Sequence, residues 1–142
     1  MVLIGRVDVA DRPERARCLN LANVHAVGWR AQAEIAAYNQ AFDVCLIPYH
    51  VANPFNAACC PTKIMDTMGS GRPMVSTAVP ECRLSAHLFD VAESHDAFIE
   101  AILSILERGS DDGQAEVRWR WAKANTCEAV VRKLLGAIPK WS

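Results

Sequence analysis

Lys63 and Asp66 are the side chains in this sequence whose types, spacing and setting could do defined chemistry. They stand in "CCPTKIMDTMGSGRPMVST", Cys59 to Thr77, just after Pro61 and ahead of Gly69 and Gly71. Proline suits the first turn of a helix, and Ile64, Met65 and Met68 would line the inner side of that helix. Lys63 then falls in the first turn, beside N–H groups that a helix leaves unbonded and where its dipole is positive. Backbone donors, a dipole and a mobile ammonium together favour a phosphate. Asp66, three residues on, shares the helix face, and its carboxylate can accept from two neighbouring hydroxyls of a sugar ring. The pair would read a diphosphate and a ribose, a nucleotide-shaped site. A solvated surface pair is the other reading of the same two residues, since most charged helix residues face water. Gly69 and Gly71 read as a C-terminal cap and a tight turn in either case.

The elements around this helix must hold it at a ligand edge. "VLIG", Val2 to Gly5, reads as a buried strand covered on both faces, followed by a short helix over "DRPERARCLNL" and a second strand in "NVHAVGW" that ends on Gly28. "AQAEIAAYNQAF" predicts an amphipathic helix with Ile35, Tyr38 and Phe42 on one face, and "DVCLIPY" a buried strand stopped by Pro48. "HVANPFNAACC" reads as a loop, "PMVST" as the strand after the Pro61 helix, and "LFDVAES" as another apolar piece. "HDAFIEAILSILER" carries a broad stripe of Phe98, Ile99, Ile102, Leu103, Ile105 and Leu106, and a last helical region follows "GSDDG". Strands alternating with helices predict an α/β domain of Rossmann type, with a mainly parallel sheet and helices on both faces. Ligands of such sheets sit beyond the carboxyl ends of the strands, so the loops after Gly5, Gly28, Tyr49 and Thr77 are the places to look.

Composition narrows the function classes. A chain of 142 residues, 51% hydrophobic, has the content of one domain, residues 1–142, with a single core. With 15 basic and 16 acidic residues it offers no basic surface for nucleic acid, and no apolar run approaches the roughly 20 residues of a membrane span. The N-terminus has no long apolar signal core, so a cytoplasmic protein is expected. Six cysteines show no CxxC pair and no metal-ligand spacing, and read as buried or loop thiols of a reducing compartment. No metal or other cofactor is expected. "RWRWAK", Arg118 to Lys123, reads as a helix with one packed and one solvated tryptophan. The same Trp and Arg residues are also compatible with weak membrane-surface association. No base stands out: His25 reads as a strand residue, His50 and Glu81 lie at the ligand edge without a visible partner, and His87 and His95 lie in polar connections.

The Pro61 to Thr77 stretch resembles a pattern of the nucleotide-sugar-binding domain of GT-B-fold glycosyltransferases, the group 1, family 4-like enzymes: Pro-x-Lys, two apolar residues, an acidic residue, then Gly-x-Pro and a Val-x-Thr strand. The resemblance extends to "VLIG", to "NVHAVGWRAQAEIAAYNQAFDVCLIPY" and to "ANTCEAVVRKLL", where Cys127 stands at a position that is commonly tryptophan, and covers residues 2–138. It implies a UDP- or GDP-sugar donor, with Lys63, Pro61 and Thr62 at the diphosphate and Asp66 at the ribose. Gly5, Trp29 and Arg30 are further donor-binding candidates, Trp29 and Arg30 on the base side; packing is the alternative role of Trp29. Relatives usually carry glutamate at the position of Asp66 and a second glutamate eight residues upstream, where this chain has Ala58.

The reaction implied is transfer of a sugar from the nucleotide to an acceptor hydroxyl, independent of metal, in polysaccharide or cell-envelope glycan synthesis. The resemblance also implies that an N-terminal acceptor domain and the first strand–helix unit of the donor domain are absent, and with them the catalytic base. A separate acceptor-binding polypeptide is therefore expected as a partner. The alternatives are a non-catalytic nucleotide-sugar-binding module and a truncated, inactive fragment.

Overall fold

The computed structural model describes residues 1–6 and 13–138. The Asp11–Arg12 lead-in of the first expected helix lies outside them. The chain divides into two compact units, Met1–Ile35 and Ala36–Ser142.

In the first unit, β1 (Val2–Leu3) pairs in parallel with β2 (His25–Ala26), and α1 (Pro13–Leu19) connects them. The expectation of a strand buried on both faces is corrected here: among the described residues β1 has one neighbour, and Val2 is exposed. Beyond the two paired residues Gly5, at φ 121°, donates its N–H to the Gly28 carbonyl at 2.9 Å. Gly28 also has a positive φ, 73°, a conformation that glycine adopts without steric cost.

α2 (Gln32–Ala41) leads into the second unit, where β3 (Cys45–Ile47), β4 (Met74–Thr77) and β5 (Asp90–Ala92) form a parallel ladder in that order. The expected mainly parallel sheet is thus present as two parallel ladders. α3 (Pro54–Ala58) and α4 (Lys63–Ser70) lie between β3 and β4, α5 (Pro80–Leu84) between β4 and β5, and α6 (His95–Arg108), α7 (Ala115–Ala124) and α8 (Cys127–Ala137) follow. The registers pair Cys45 with Met74, and Ser76 with both Ile47 and Val91. These residues share one face of the pleat. Cys45, Ile47, Met74 and Val91 join a core with Ile64 and Met68 of α4, Cys82 of α5, Leu88 and Phe89. Val75 and Ala92 point to the other face. α6 packs on β4 and β5 there, with its buried Ile105. Helices therefore cover both faces, and the fold is Rossmann-like α/β.

Several expectations are corrected in detail. "HVANPFNAACC" contains α3, started by Asn53, whose side chain accepts from the Phe55 N–H at 2.9 Å, with Pro54 in the first turn. On α2 the most buried residue is Asn39, while Ile35, Tyr38 and Phe42 are half-buried. On α6 the stripe is narrower than expected. Phe98, Ile102 and Ile105 face inward, and Ile99, Leu103 and Leu106 are exposed, because a straight helix offers a flat sheet only about 100° of its surface. The last helical region breaks at Asn125, and Thr126 caps α8 by accepting from the Ala129 N–H at 3.2 Å.

Candidate functional site

α4 leaves the carboxyl edge of β3 through a loop that ends Cys59–Cys60–Pro61. Its start is tight. Ile64 donates to the Pro61 carbonyl at 3.0 Å and Met65 to that of Thr62 at 3.0 Å, bonds three residues long that draw the first turn in. The sequence reading expected several free donors; two remain, the Thr62 and Lys63 N–H groups, unbonded among the described residues. Thr62 itself has helical φ and ψ and makes no side-chain cap, so its hydroxyl leaves those donors open. Ile64 and Met68 are buried in the core, with Thr67 beside them, which anchors the helix and fixes where its first turn points.

Lys63 is exposed, its ammonium 5.3 Å from the centroid of the Tyr49 ring. Tyr49 is held in turn by Thr77, whose hydroxyl donates to the Tyr49 carbonyl at 2.8 Å. The loops after β3 and β4 are thereby tied together at the edge where Lys63 stands. α3 and α5 pack on each other at the same edge, and the Cys60 thiol lies 3.9 Å from the Glu81 carboxylate. Burial pushes the Cys60 thiol up, and the neighbouring Glu81 charge pushes it further. Burial likewise raises Cys82 and Cys45. All six cysteines are unpaired thiols. Among the described residues no group of His, Cys, Asp or Glu is arranged to hold a metal ion.

Asp66 lies one turn along α4 and looks elsewhere. With Met65 and Gly69 it lines a groove of 330 Å³ whose far wall is Trp119, Ala122 and Lys123 of α7. No ion pair joins Asp66 to Lys63 among the described residues. Gly69 is an ordinary helical residue on this groove, correcting its expected part in the turn. The turn belongs to Gly71, at φ 74°, whose N–H donates to the Met68 carbonyl at 3.1 Å.

The other candidates form a group of their own in the first unit, at the carboxyl end of the β1–β2 ladder. Gly5 and Gly28 are bonded to each other there, and Trp29 and Arg30 follow directly. Trp29 is 65% exposed. Arg30 donates to the Trp29 carbonyl at 2.9 Å.

Sequence reasoning missed Arg118. It is the first residue of "RWRWAK", a run expected to offer one packed and one solvated tryptophan; Trp121 does pack on the core and Trp119 is exposed beneath the Lys123 ammonium, 3.5 Å from its ring centroid. Arg118 is buried. It donates to the carbonyls of Leu88 at 2.9 Å and Gly71 at 3.1 Å, and its guanidinium forks onto Asp112. Those Arg118 bonds hold the Asp112 carboxyl below the usual carboxylate range. The signal was available in "SDDG", which sets an acidic residue six positions ahead of an arginine otherwise surrounded by apolar and aromatic residues.

The helix with Pro61 at its head, its lysine and acidic residue, and the strand ending on Thr77 all stand in the predicted order at a sheet edge. A family profile described as "Glycosyl transferases group 1" matches residues 1–108, which include all of these elements. The chain belongs to the glycosyl transferases group 1 family. It is also 25% identical over 121 residues to a Bacillus subtilis (strain 168) protein named putative teichuronic acid biosynthesis glycosyltransferase TuaH. That match takes in 82% of this chain and 30% of the relative, so the chain spans under a third of the relative's length. Within this group 1 glycosyltransferase sequence, no helix among the described residues is long and apolar enough to cross a membrane.

Proposed function

We propose that the chain is the donor-binding domain of a GT-B glycosyltransferase, taking a UDP- or GDP-sugar and delivering the sugar to an acceptor hydroxyl. The observation that carries this reading is the family match over residues 1–108, which spans the loops after β1 and β2 and the whole α4–β4 segment. Transfer breaks the bond between the sugar's anomeric carbon and the diphosphate oxygen, and forms one from that carbon to the acceptor oxygen. The diphosphate leaves with the electron pair. Lys63 and the N–H groups of Thr62 and Lys63 offset the charge that develops on it, donors fixed in place before the reaction starts. Pro61 sets the turn that presents them. The family pattern assigns the ribose to Asp66, the base to Trp29 and Arg30, and a donor contact to Gly5; Asp66 lines the α7 groove, and the other three belong to the first unit.

This assignment places the charge stabilisation on protein donors and needs no metal ligand. It leaves the acceptor's proton to a base outside these residues. The relative named for teichuronic acid biosynthesis supports a role in polysaccharide or cell-envelope glycan synthesis. Six unpaired thiols support a cytoplasmic setting.

Calorimetric titration with UDP and GDP tests the reading. The parent chain should bind one of them saturably, and Lys63→Ala should weaken that binding about tenfold or more, the scale of a charge-assisted hydrogen bond. Equal affinity of parent and Lys63→Ala would overturn it.

A further inference from the structure

Two charged side chains of opposite sign stand at the carboxyl edge of the β3–β4 ladder without neutralising each other. Lys63 lies over Tyr49, and Glu81 lies in the first turn of α5, where Pro80 begins the helix directly after the β4 loop. No ion pair joins them among the described residues. Their loops are nonetheless bound to each other through the Thr77 hydroxyl on the Tyr49 carbonyl, and through the packing of α3 on α5.

Glu81 is half-buried, and among the described residues its sole hydrogen-bond partner is the Cys60 thiol, at 3.9 Å. A thiol is a weak donor, and an ionised carboxylate offers about four acceptor positions. Most of the acceptor positions of Glu81 therefore face no protein donor among the described residues. The carboxylate is held by α5 and by its contact with the Cys60 loop, within the same tied pair of loops as Lys63. On the β3 side of that edge, Ala58 ends α3 with a single methyl and offers no side-chain acceptor. Burial and the Glu81 charge both push the Cys60 thiol up.

A ligand carrying only phosphate would be repelled by such a carboxylate. A ligand with a phosphate at one end and vicinal hydroxyls at the other suits both charges. Resting on the donor-site reading above, we infer that Glu81 is the specificity-determining carboxylate for the transferred sugar, accepting hydrogen bonds from two of its neighbouring hydroxyls. Lys63 holds the phosphate side, and Glu81 distinguishes a sugar nucleotide from the bare nucleotide diphosphate.

The test is a paired titration of the 142-residue chain with UDP against UDP-glucose and with GDP against GDP-mannose, for the parent and for Glu81→Gln. The substitution keeps the size of the side chain and one carbonyl oxygen while removing the charge. The parent should bind at least one sugar nucleotide more tightly than its diphosphate. Glu81→Gln should lose that preference, about five- to tenfold, with affinity for the bare diphosphate equal to the parent's or higher. Circular dichroism and the retained diphosphate affinity establish that the variant is folded. An unchanged preference, an equal loss on both ligands, or a parent with no preference would overturn the role of Glu81 while leaving the diphosphate site standing. Absence of binding by any of the four probes would overturn the donor-site reading and this inference with it.

Discussion

Arg118→Ala is the substitution with the largest expected effect on the fold that presents the site. The Arg118 side chain is 4% exposed and Asp112 11%, so the pair sits out of water. Truncation leaves the Asp112 carboxylate without its cation and the Leu88 and Gly71 carbonyls without their guanidinium donor. Breaking a buried charge pair from one side costs about 3–5 kcal/mol, a large share of the roughly 5–15 kcal/mol that holds a domain folded. In urea, with a slope near 2 kcal/mol/M, the midpoint should fall by about 1.5–2.5 M. The fluorescence of Trp121, packed on the core, reports the transition. Arg118→Met combined with Asp112→Leu should recover part of the loss, since no charge is left unpaired while the two carbonyls remain without their donors. A loss below about 1 kcal/mol for Arg118→Ala, the scale of an exposed ion pair, would refute the reasoning. Gly71 closes α4, so the structural damage should also appear as weaker nucleotide binding.

Three further outcomes are expected. The Asp112 carboxyl is lowered chiefly by its bonds from Arg118, so its contribution to stability is complete above the unfolded value near 3.8 and disappears as the pH falls through the lower folded value; unfolding titrations between pH 6 and 2 should show this loss in the parent and not in Asp112→Asn. Gly71→Ala should cost about 1–3 kcal/mol by thermal or urea unfolding, because φ is 74° and an added Cβ would meet the Ala115 Cβ at 3.2 Å; no measurable cost would mean that the turn relaxes freely. Trp29→Ala should leave stability within about 0.5 kcal/mol, since the ring is exposed, yet weaken nucleotide binding about tenfold in the same calorimetric titration; a fall in stability without a fall in affinity would assign it to packing.

The α4–β4 segment was legible because local signals agreed there. Pro61 starts the helix, Ile64 and Met68 repeat at helical spacing, Gly71 ends it, and "PMVST" has nowhere to go but a buried strand. α3 and α5 were less legible, although both begin with proline in the first turn; at five residues each they are too short for periodicity to register. β1 was misread because burial on both faces depends on neighbours, which an apolar run cannot reveal. Arg118 was missed for a similar reason. Its burial is set by Leu88, Gly71 and Asp112, residues 6 to 47 positions away that the fold alone brings together. The candidate residues could be named one by one from sequence, but their grouping could not: Lys63 faces Tyr49, Asp66 faces α7, and Gly5 with Trp29 and Arg30 belongs to a separate unit.

The central claim is that the open start of α4 receives a nucleotide diphosphate. Backbone amide resonances of the labelled chain, followed by NMR while UDP or GDP is added to saturation, test it most directly. The Thr62 and Lys63 amides, which have no partner among the described residues, should shift downfield as they bond phosphate oxygens, and should gain protection from hydrogen exchange. Saturable shifts that spare Thr62 and Lys63, or no shift at all from a folded chain, would contradict the account.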